Sequence, residues 1–457
     1  MSYETRYAAA MALTLGPWLK GFPPDVPPCK PADIAARRWN LLAGDLPLPL
    51  AALDRDALAH NIQWMQAYAR SQGVDLAPHG KTTMSPQLFQ RQLDAGAWGI
   101  TFANVFQLRV GVAAGVRRAL IANQLVQDVE LAALRSLRAQ HNDLRVVFLV
   151  DSAQQLSRIE AWSRAHDPAR PSVGGRPRQA DRSPAGGSER SEGGGRQFEV
   201  LLEIGVPGGR TGVRGHGDAL ALARALHASA AVRLVGLECY EGLGASGDSG
   251  RDTEYAAALM QRLSDVAQAC DREALFESDE VIVSAGGSGI FDLVATRLRL
   301  NLQRPVCGLL RSGCYVTHDH GQYQRLVQRV IERCSCGEGL KPALQLWSCV
   351  QSVPEPGLAI LTVGRRDVGF DMGLPQPVGL APAGVRRVEP ANPTWHVTAL
   401  NDQHAYLRFD PGSPGPPAVG DRVVLGISHP CTTFDKWHWM PIVNAALDVV
   451  DAVTIHF

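Results

Sequence analysis

The 457-residue chain balances 45 Lys plus Arg against 45 Asp plus Glu, with 45% apolar and 20% charged residues. Zero net charge argues against a nucleic-acid or acidic-membrane surface, and the apolar content is that of a folded globular protein. No apolar run reaches the ~18 residues of a membrane span, no secretory signal is expected at the start, and nine Cys without repeating spacing suit a reducing, cytoplasmic compartment.

In chain order, residues 1–40 form an N-terminal segment expected to pack on a later β domain. "LPLPLAALDRDALAHNIQWMQAYARSQG" follows, read as a strand feeding the first helix of a barrel. Eight short apolar runs come next: "VDLAPH", "GITFAN", "RALIANQ", "RVVFLVD", "FEVLLEIG", "VRLVGLECY", "VIVSAGG" and "VCGLLRSG". Amphipathic stretches such as "SPQLFQRQLDAG" and "GDALALARALHAS" separate them, with apolar residues three and four apart. Strands alternating with helices imply parallel βα units, and eight units suit a closed (β/α)8 TIM-type barrel of ~250 residues. An open doubly wound sheet is the alternative, disfavoured by the count and by the lack of an early GxGxxG. The α/β barrel is assigned to 41–322. Residues 166–197, rich in Gly, Pro, Ser and Arg, interrupt it as a low-complexity insertion with too little apolar content to bury a core. Beyond about Gln322 short β-type runs bounded by Gly, Pro, Asn and Asp predict a second, mainly β C-terminal domain over 323–457.

Candidate chemistry gathers where strands end, because parallel barrels place reacting groups at the C-terminal ends of their strands. Only five of the basic residues are Lys, and one of them, Lys81, follows the first barrel strand. An amine attacks a carbonyl once deprotonated, which a guanidinium cannot do, so a desolvated Lys81 suits Schiff-base chemistry; a solvated loop Lys is the other reading. The seventh strand runs into "SAGGSG", where Gly286 and Gly287 permit close approach of a phosphate to backbone N–H groups and Ser284 and Ser288 add hydroxyls. Arg210, Tyr240 with Glu241, and Tyr315 follow the fifth, sixth and eighth strands, and Gln403 and His404 occupy a turn of the β domain. If "VVLGISHPC" continues as one strand, His429 and Cys431 face the same side, and imidazole plus thiolate are ligands that Zn²⁺ prefers. "CSC" at 334–336 is a rival metal or redox pair.

Taken together, "PHGKTT", "GGRTGV", "YEG", "SAGGSG" and "SHPCTTFDKW" resemble the alanine-racemase-fold (fold-type III) pyridoxal-phosphate enzymes of the D-serine dehydratase and D-threonine aldolase group, and most of all the D-serine-deaminase-like amino acid deaminases. The resemblance implies Lys81 as Schiff-base lysine and base at Cα. It implies Ser284, Gly286, Gly287 and Ser288, with Tyr315 as a lesser addition, around the phosphate of pyridoxal 5'-phosphate, and Arg210 and Tyr240 around its ring. It further implies His429 and Cys431 as ligands of Zn²⁺ or another divalent metal, Gln403 and His404 near a D-amino acid substrate, and a homodimer. Cys431 stands where the aldolases carry Asp, which points to the dehydratases, whereas "NDQH" departs from the acidic "EEH"-like loop of many relatives. The implied reaction turns D-3-hydroxy amino acids into 2-keto acids and ammonia. An aldolase on the same scaffold and a non-catalytic cofactor-binding protein are the alternatives.

Overall fold

The computed structural model describes residues 13–166, 198–334 and 337–457. Most of the low-complexity insertion and Cys336 of the "CSC" pair therefore lie outside the described residues. Strand β1, Leu50–Asp54, leads directly into the helix Arg55–Ser71. Asp54 caps that helix by accepting from Ala57 N at 2.7 Å, and Leu58, Ile62, Met65 and Ala69 bury one face at three- and four-residue spacing. Eight parallel strands follow: β2 Asp75–Leu76, β3 Ile100–Phe102, β4 Arg118–Gln124, β5 Arg145–Val150, β6 Phe198–Ile204, β7 Val232–Cys239, β8 Val281–Ala285 and β9 Val306–Leu310. All eight predicted runs become strands, since parallel strands covered on both faces are apolar almost throughout.

The sheet runs β2-β9-β8-β7-β6-β5-β4-β3 and closes on itself past the short β2. Thr101 N donates to Pro78 O at 2.8 Å and Thr101 Oγ1 to Ala77 O at 2.8 Å, so β3 meets the segment beyond β2. Ala77, Leu120, Val147, Leu149, Leu201, Val235, Ile282 and Leu309 fill the interior. The opposite faces of the strands pack beneath the helices.

The second, mainly β unit opens with a helix, Gln322–Cys334, in which Leu326, Val327 and Val330 give a buried face. Its strands are β10 Leu344–Glu355, β11 Leu358–Leu361, β12 Gln376–Ala381, β13 Glu389–Pro390, β14 His396–Leu400 and β15 Ala405–Arg408. They continue with β16 Arg422–Gly426, β17 Trp439–Val443 and β18 Val449–Thr454. β1 feeds the first barrel helix as read from the sequence, but it does so from the other sheet, although the 41–322 bounds count it with the barrel. It lies between β10, antiparallel with Leu50 opposite Trp347, and β17, parallel with Leu53 opposite Ile442. A central position buries Leu50 and Leu53 completely, each contributing ~1.5–3 kcal/mol. The described part of the N-terminal segment packs on the same sheet. Trp439 Nε1 donates to Lys20 O at 2.9 Å, Lys20 Nζ meets Asp367 at 2.9 Å, and Asn40 Nδ2 donates to Ala446 O at 2.8 Å.

Candidate active site

Lys81 sits in a one-turn 3-10 helix, Gly80–Thr82, immediately beyond β2 at the C-terminal end of the barrel. Gly80 fits because a Cβ there would press on Ile100, Phe89 and Phe102 at 2.8–3.0 Å. The turn leaves the Lys81 side chain exposed, and among the described residues its amine has no hydrogen-bond or ion-pair partner. The desolvation expected for it is therefore absent: the side chain leaves the turn into solvent, not into the apolar barrel. His79, one step deeper, has its Nδ1 sealed from solvent and without a partner. Burial, followed by the positive charges of Lys81, Arg311 and Arg210, holds this imidazole well below its ordinary pKa, so it is neutral.

Beneath the mouth lies a polar layer that sequence reasoning missed. Arg311 donates to Glu238 Oε2 at 2.6 Å and to Cys239 O at 2.7 Å, with both side chains almost fully buried. Burial pushes the Glu238 carboxyl upward while the Arg311 guanidinium opposes it. Glu203 accepts from Thr211 Oγ1 at 2.6 Å and from Gln124 Nε2, and burial raises its carboxyl above the usual range. Arg311 Nε, like His79 Nδ1, is sealed and unpartnered. Nothing in the local sequence signals this layer beyond polar residues standing at inward positions of otherwise apolar strands.

The glycine loop forms an anion nest. Gly286 N donates to Glu241 Oε2 at 2.9 Å and Gly287 N to Glu241 Oε1, so two adjacent amides converge on one fully buried carboxylate. Gly286 has φ +105°, open to glycine and strained for other residues. Ser312 Oγ donates to Gly287 O at 2.6 Å, and Cys314 N donates to Ser288 Oγ at 3.3 Å, tying the loop after β9 to the nest. Ser284 is placed differently from the expectation: its hydroxyl is buried and donates to Leu309 O at 3.0 Å, inside the barrel wall. Tyr315 also departs. The 3-10 turn Cys314–Val316 directs its ring into the core, where its hydroxyl accepts from Gln92 Nε2 at 2.9 Å.

Arg210 and Tyr240 come together at the mouth, the guanidinium 5.2 Å from the ring centroid. Burial and then the Glu241 charge push the Tyr240 hydroxyl up to about 12, so it stays protonated. Gln403 and His404 are not brought to this place. Their turn joins β14 to β15, where Asn401 N donates to His404 O at 2.8 Å, and it packs on residues 364–366.

His429 and Cys431 do not share a strand. β16 ends at Gly426, and Pro430 opens a one-turn helix, Pro430–Phe434, because its fixed φ and missing N–H suit the first helical position. His429 Nδ1 lies 2.6 Å from Asp371 Oδ2, and Thr432 Oγ1 donates to Asp371 Oδ1 at 2.7 Å. Burial raises the Asp371 carboxyl, but these two bonds outweigh it and leave it below the usual range. The carboxylate thereby fixes which imidazole nitrogen is free. Cys431 Sγ is 3.5 Å from Cys314 Sγ and 3.5 Å from Thr82 Oγ1. The hydrogen bond from Cys314 lowers the Cys431 thiol against the cost of burial, with Thr82 and the Lys81 charge helping; Cys314 is correspondingly raised. Sequence reasoning missed Asp371, 58 residues from its partner, and Cys314, whose neighbour Tyr315 it selected instead.

These groups fit a phosphate-bearing carbonyl cofactor. A free amine, two amides already converging on an anion, a stacked Arg–Tyr wall and sealed polar atoms on His79 and Arg311 lie at one end of the barrel. They also carry the donor types of a borderline-soft cation, although among the described residues no three His, Cys, Asp or Glu side chains yet converge as a metal site.

With this fold and this lysine-centred mouth, the chain belongs to the family described as "Alanine racemase, N-terminal domain", matched over residues 53–309, a family of pyridoxal-phosphate-dependent proteins. Residues 343–443 match a "Putative serine dehydratase domain". A D-threonine aldolase from Arthrobacter sp is 27% identical over 421 residues, 92% of each chain. A D-threo-3-hydroxyaspartate dehydratase from Delftia sp. (strain HT23) is 28% identical over 339 residues, 72% of this chain and 74% of that one. Among solved structures, a D-threonine aldolase from Filomicrobium marinum superposes with a TM-score of 0.70 at 24% identity, covering 90% of this chain and 95% of that one, which shows a shared fold.

Proposed function

We propose that this chain is a pyridoxal-phosphate-dependent, metal-assisted dehydratase that deaminates D-3-hydroxy amino acids of the D-serine and D-threonine type to 2-keto acids and ammonia. The observation that carries the reading is the meeting of the lysine turn with a thiol: Cys431 Sγ, from the second unit, lies 3.5 Å from Thr82 Oγ1, next in the chain to Lys81. The cofactor supplies an electron sink for charge developing at Cα, and the cation supplies Lewis acidity at the departing β-oxygen. The chain's own residues do the rest. Lys81 Nζ takes the α-proton, and neutral His79 beneath it adds no competing charge. Gly286 and Gly287 offer their N–H groups to the phosphate as the Glu241 carboxylate withdraws. Arg210 and Tyr240 wall the ring, His429 and Cys431 hold the cation, and Asp371 sets the imidazole tautomer.

The same reading gives Gln403 and His404 to the mouth of a second copy in a homodimer. In its favour, a cleft of about 810 Å³ lies beside the ends of β3 and β4, lined by Asn104, Arg109, Gln124 and the exposed Phe106 and Val129. Among the described residues no helix is long and apolar enough to cross a membrane, and free thiols at Cys314 and Cys431 suit the cytoplasm. A second reading, a D-threonine aldolase breaking Cα–Cβ, is favoured by the aldolase relative that spans 92% of each chain. One experiment separates the two: incubation with D-serine, D-threonine and D-3-hydroxyaspartate, with and without chelator. Chelator-sensitive release of keto acid and ammonia supports the dehydratase; glycine plus an aldehyde moves the assignment to the aldolase. A protein that stays colourless after addition of the cofactor overturns both.

A further inference from the structure

The thiol that sequence reasoning passed over, Cys314, faces Cys431 across the junction of barrel and second unit. Their sulfurs are 3.5 Å apart, far beyond the ~2.05 Å of a disulfide, and both cysteines are free. Two thiolates at Zn–S bonds of about 2.3 Å and a tetrahedral angle would stand about 3.8 Å apart. The observed gap is thus the edge of a metal tetrahedron to within a few tenths of an ångström.

The surroundings hold Cys314 in that place. Its N–H is bonded to Ser288 Oγ, Thr82 Oγ1 lies 4.0 Å from its sulfur, and its side chain is only 4% exposed. Gly313 before it allows no side chain, since a Cβ would meet Thr82 Oγ1 at 2.6 Å and the His79 carbonyl at 2.8 Å. The remaining donor comes from the same turn: His429 caps the helix Pro430–Phe434 two residues before Cys431, and the Asp371 contact at Nδ1 leaves Nε2 as the coordinating atom. Catalytic zinc sites ordinarily take three protein ligands and leave one position for substrate, and Cys2His is one such set. His429 and Cys431 alone would leave that set one ligand short.

We propose that Cys314 is the third protein ligand of the cation site, completing a Cys2His set with Cys431 and His429 that selects a borderline-soft divalent ion such as Zn²⁺ and leaves one position open. This rests on the metal-assisted reading above. Loading the ion draws the His429 imidazole toward the sulfur pair, and the site then joins the loop after β9 to the helix Pro430–Phe434.

The test uses the full-length, cofactor-loaded protein, stripped with chelator and titrated with Co²⁺ under reducing conditions. The thiolate-to-cobalt charge-transfer absorbance is expected at an amplitude for two sulfurs, with tetrahedral d–d bands. Cys314→Ser should retain about half of that amplitude and lose at least the ~10–100-fold in affinity that even an outer-shell change costs. Cys431→Ser should likewise retain about half, now from Cys314. As a readout needing no variant, alkylation of the unaltered protein with and without Co²⁺, mapped by peptide mass spectrometry, should show both thiols protected by the metal. An amplitude for one sulfur with Cys314 freely alkylated overturns the proposal while leaving the metal-assisted reading intact. Failure of the unaltered protein to bind Co²⁺ at all overturns both.

Discussion

Replacing Gly286 and Gly287 one at a time by Ala separates what the glycine loop does for the fold from what it does for the site. At Gly286, with φ +105°, an L side chain is strained by ~1–3 kcal/mol. Its new Cβ would also meet Leu310 Cδ2 at 2.6 Å, and Leu310 is fully buried, so the methyl cannot swing away into solvent. Overpacking of that kind costs ~1–3 kcal/mol. The sum, ~2–6 kcal/mol, is a large share of the ~5–15 kcal/mol typical of a folded domain. At Gly287 the closest atoms are Tyr240 Cε2 at 3.2 Å and Glu241 Oε1 at 3.3 Å, neighbours that need give only a few tenths of an ångström. Gly287→Ala should therefore change stability by under ~1 kcal/mol while displacing the ring and carboxylate that frame the anion nest. Urea unfolding midpoints, with the slope checked for constancy, report the first effect; absorbance titration with pyridoxal phosphate reports the second. Gly286→Ala should unfold at clearly lower urea, and Gly287→Ala should bind the cofactor weakly at a nearly unaltered midpoint. An unchanged midpoint for the first, or unaltered cofactor binding for the second, would refute the geometry used here.

Lys81→Ala should abolish both turnover and the visible absorbance that pyridoxal phosphate acquires on attachment to an amine, with an unfolding midpoint within ~0.5 kcal/mol of the parent because the side chain is exposed. Arg311→Met should cost ~3–5 kcal/mol by stranding Glu238 in the barrel, and the double variant with Glu238→Leu should recover most of it in the same denaturation assay. Burial, aided by mutual repulsion at His318, holds His318 and His320 down to about 4, below an unfolded value near 6.5. The unfolded chain then takes up protons that the folded one refuses, so stability is full above pH ~6.5 and falls toward pH ~4. His318→Asn, which tolerates the φ of 50° at that position, should flatten the decline by ~1.4 kcal/mol per pH unit; an unchanged slope in urea midpoints across that window would count against it.

The barrel was legible because each of its strands is an apolar run cut off by turn residues, a signal contained within seven or eight neighbours. The place of Lys81 was legible for a different reason: a rare residue type follows directly on the first apolar run of the barrel, and the turn Gly80–Thr82 stands there. The errors share a physical cause, the phase of short turns. Sequence spacing does not tell how a 3-10 turn rotates, and the turn Cys314–Val316 sends the Tyr315 ring into the core and the Cys314 thiol toward Cys431. The same holds at His429 and Cys431, where Pro430 converts an assumed strand into a helical turn. The 41–322 bound counted β1 with the barrel for a third reason, since a strand buried on both faces reads alike in either sheet, and only its pairing with β10 and β17 decides.

What remained out of reach are pairs made by the fold: Arg311 with Glu238 across 73 residues, Asp371 with His429 across 58, Cys314 with Cys431 across 117. Each member alone has an unremarkable local setting, and each pair draws on segments far apart in the chain. The proposed cation site illustrates the consequence. Cys431 enters from the second unit, whereas Cys314 and Thr82 belong to loops of the barrel whose backbones are fixed by the glycine nest and by the turn that presents Lys81. A shift of the second unit against the barrel would thus separate the sulfurs while leaving Lys81 and the nest in place. On the proposed reading, a variant loosening only the junction should therefore keep cofactor attachment and lose cation binding.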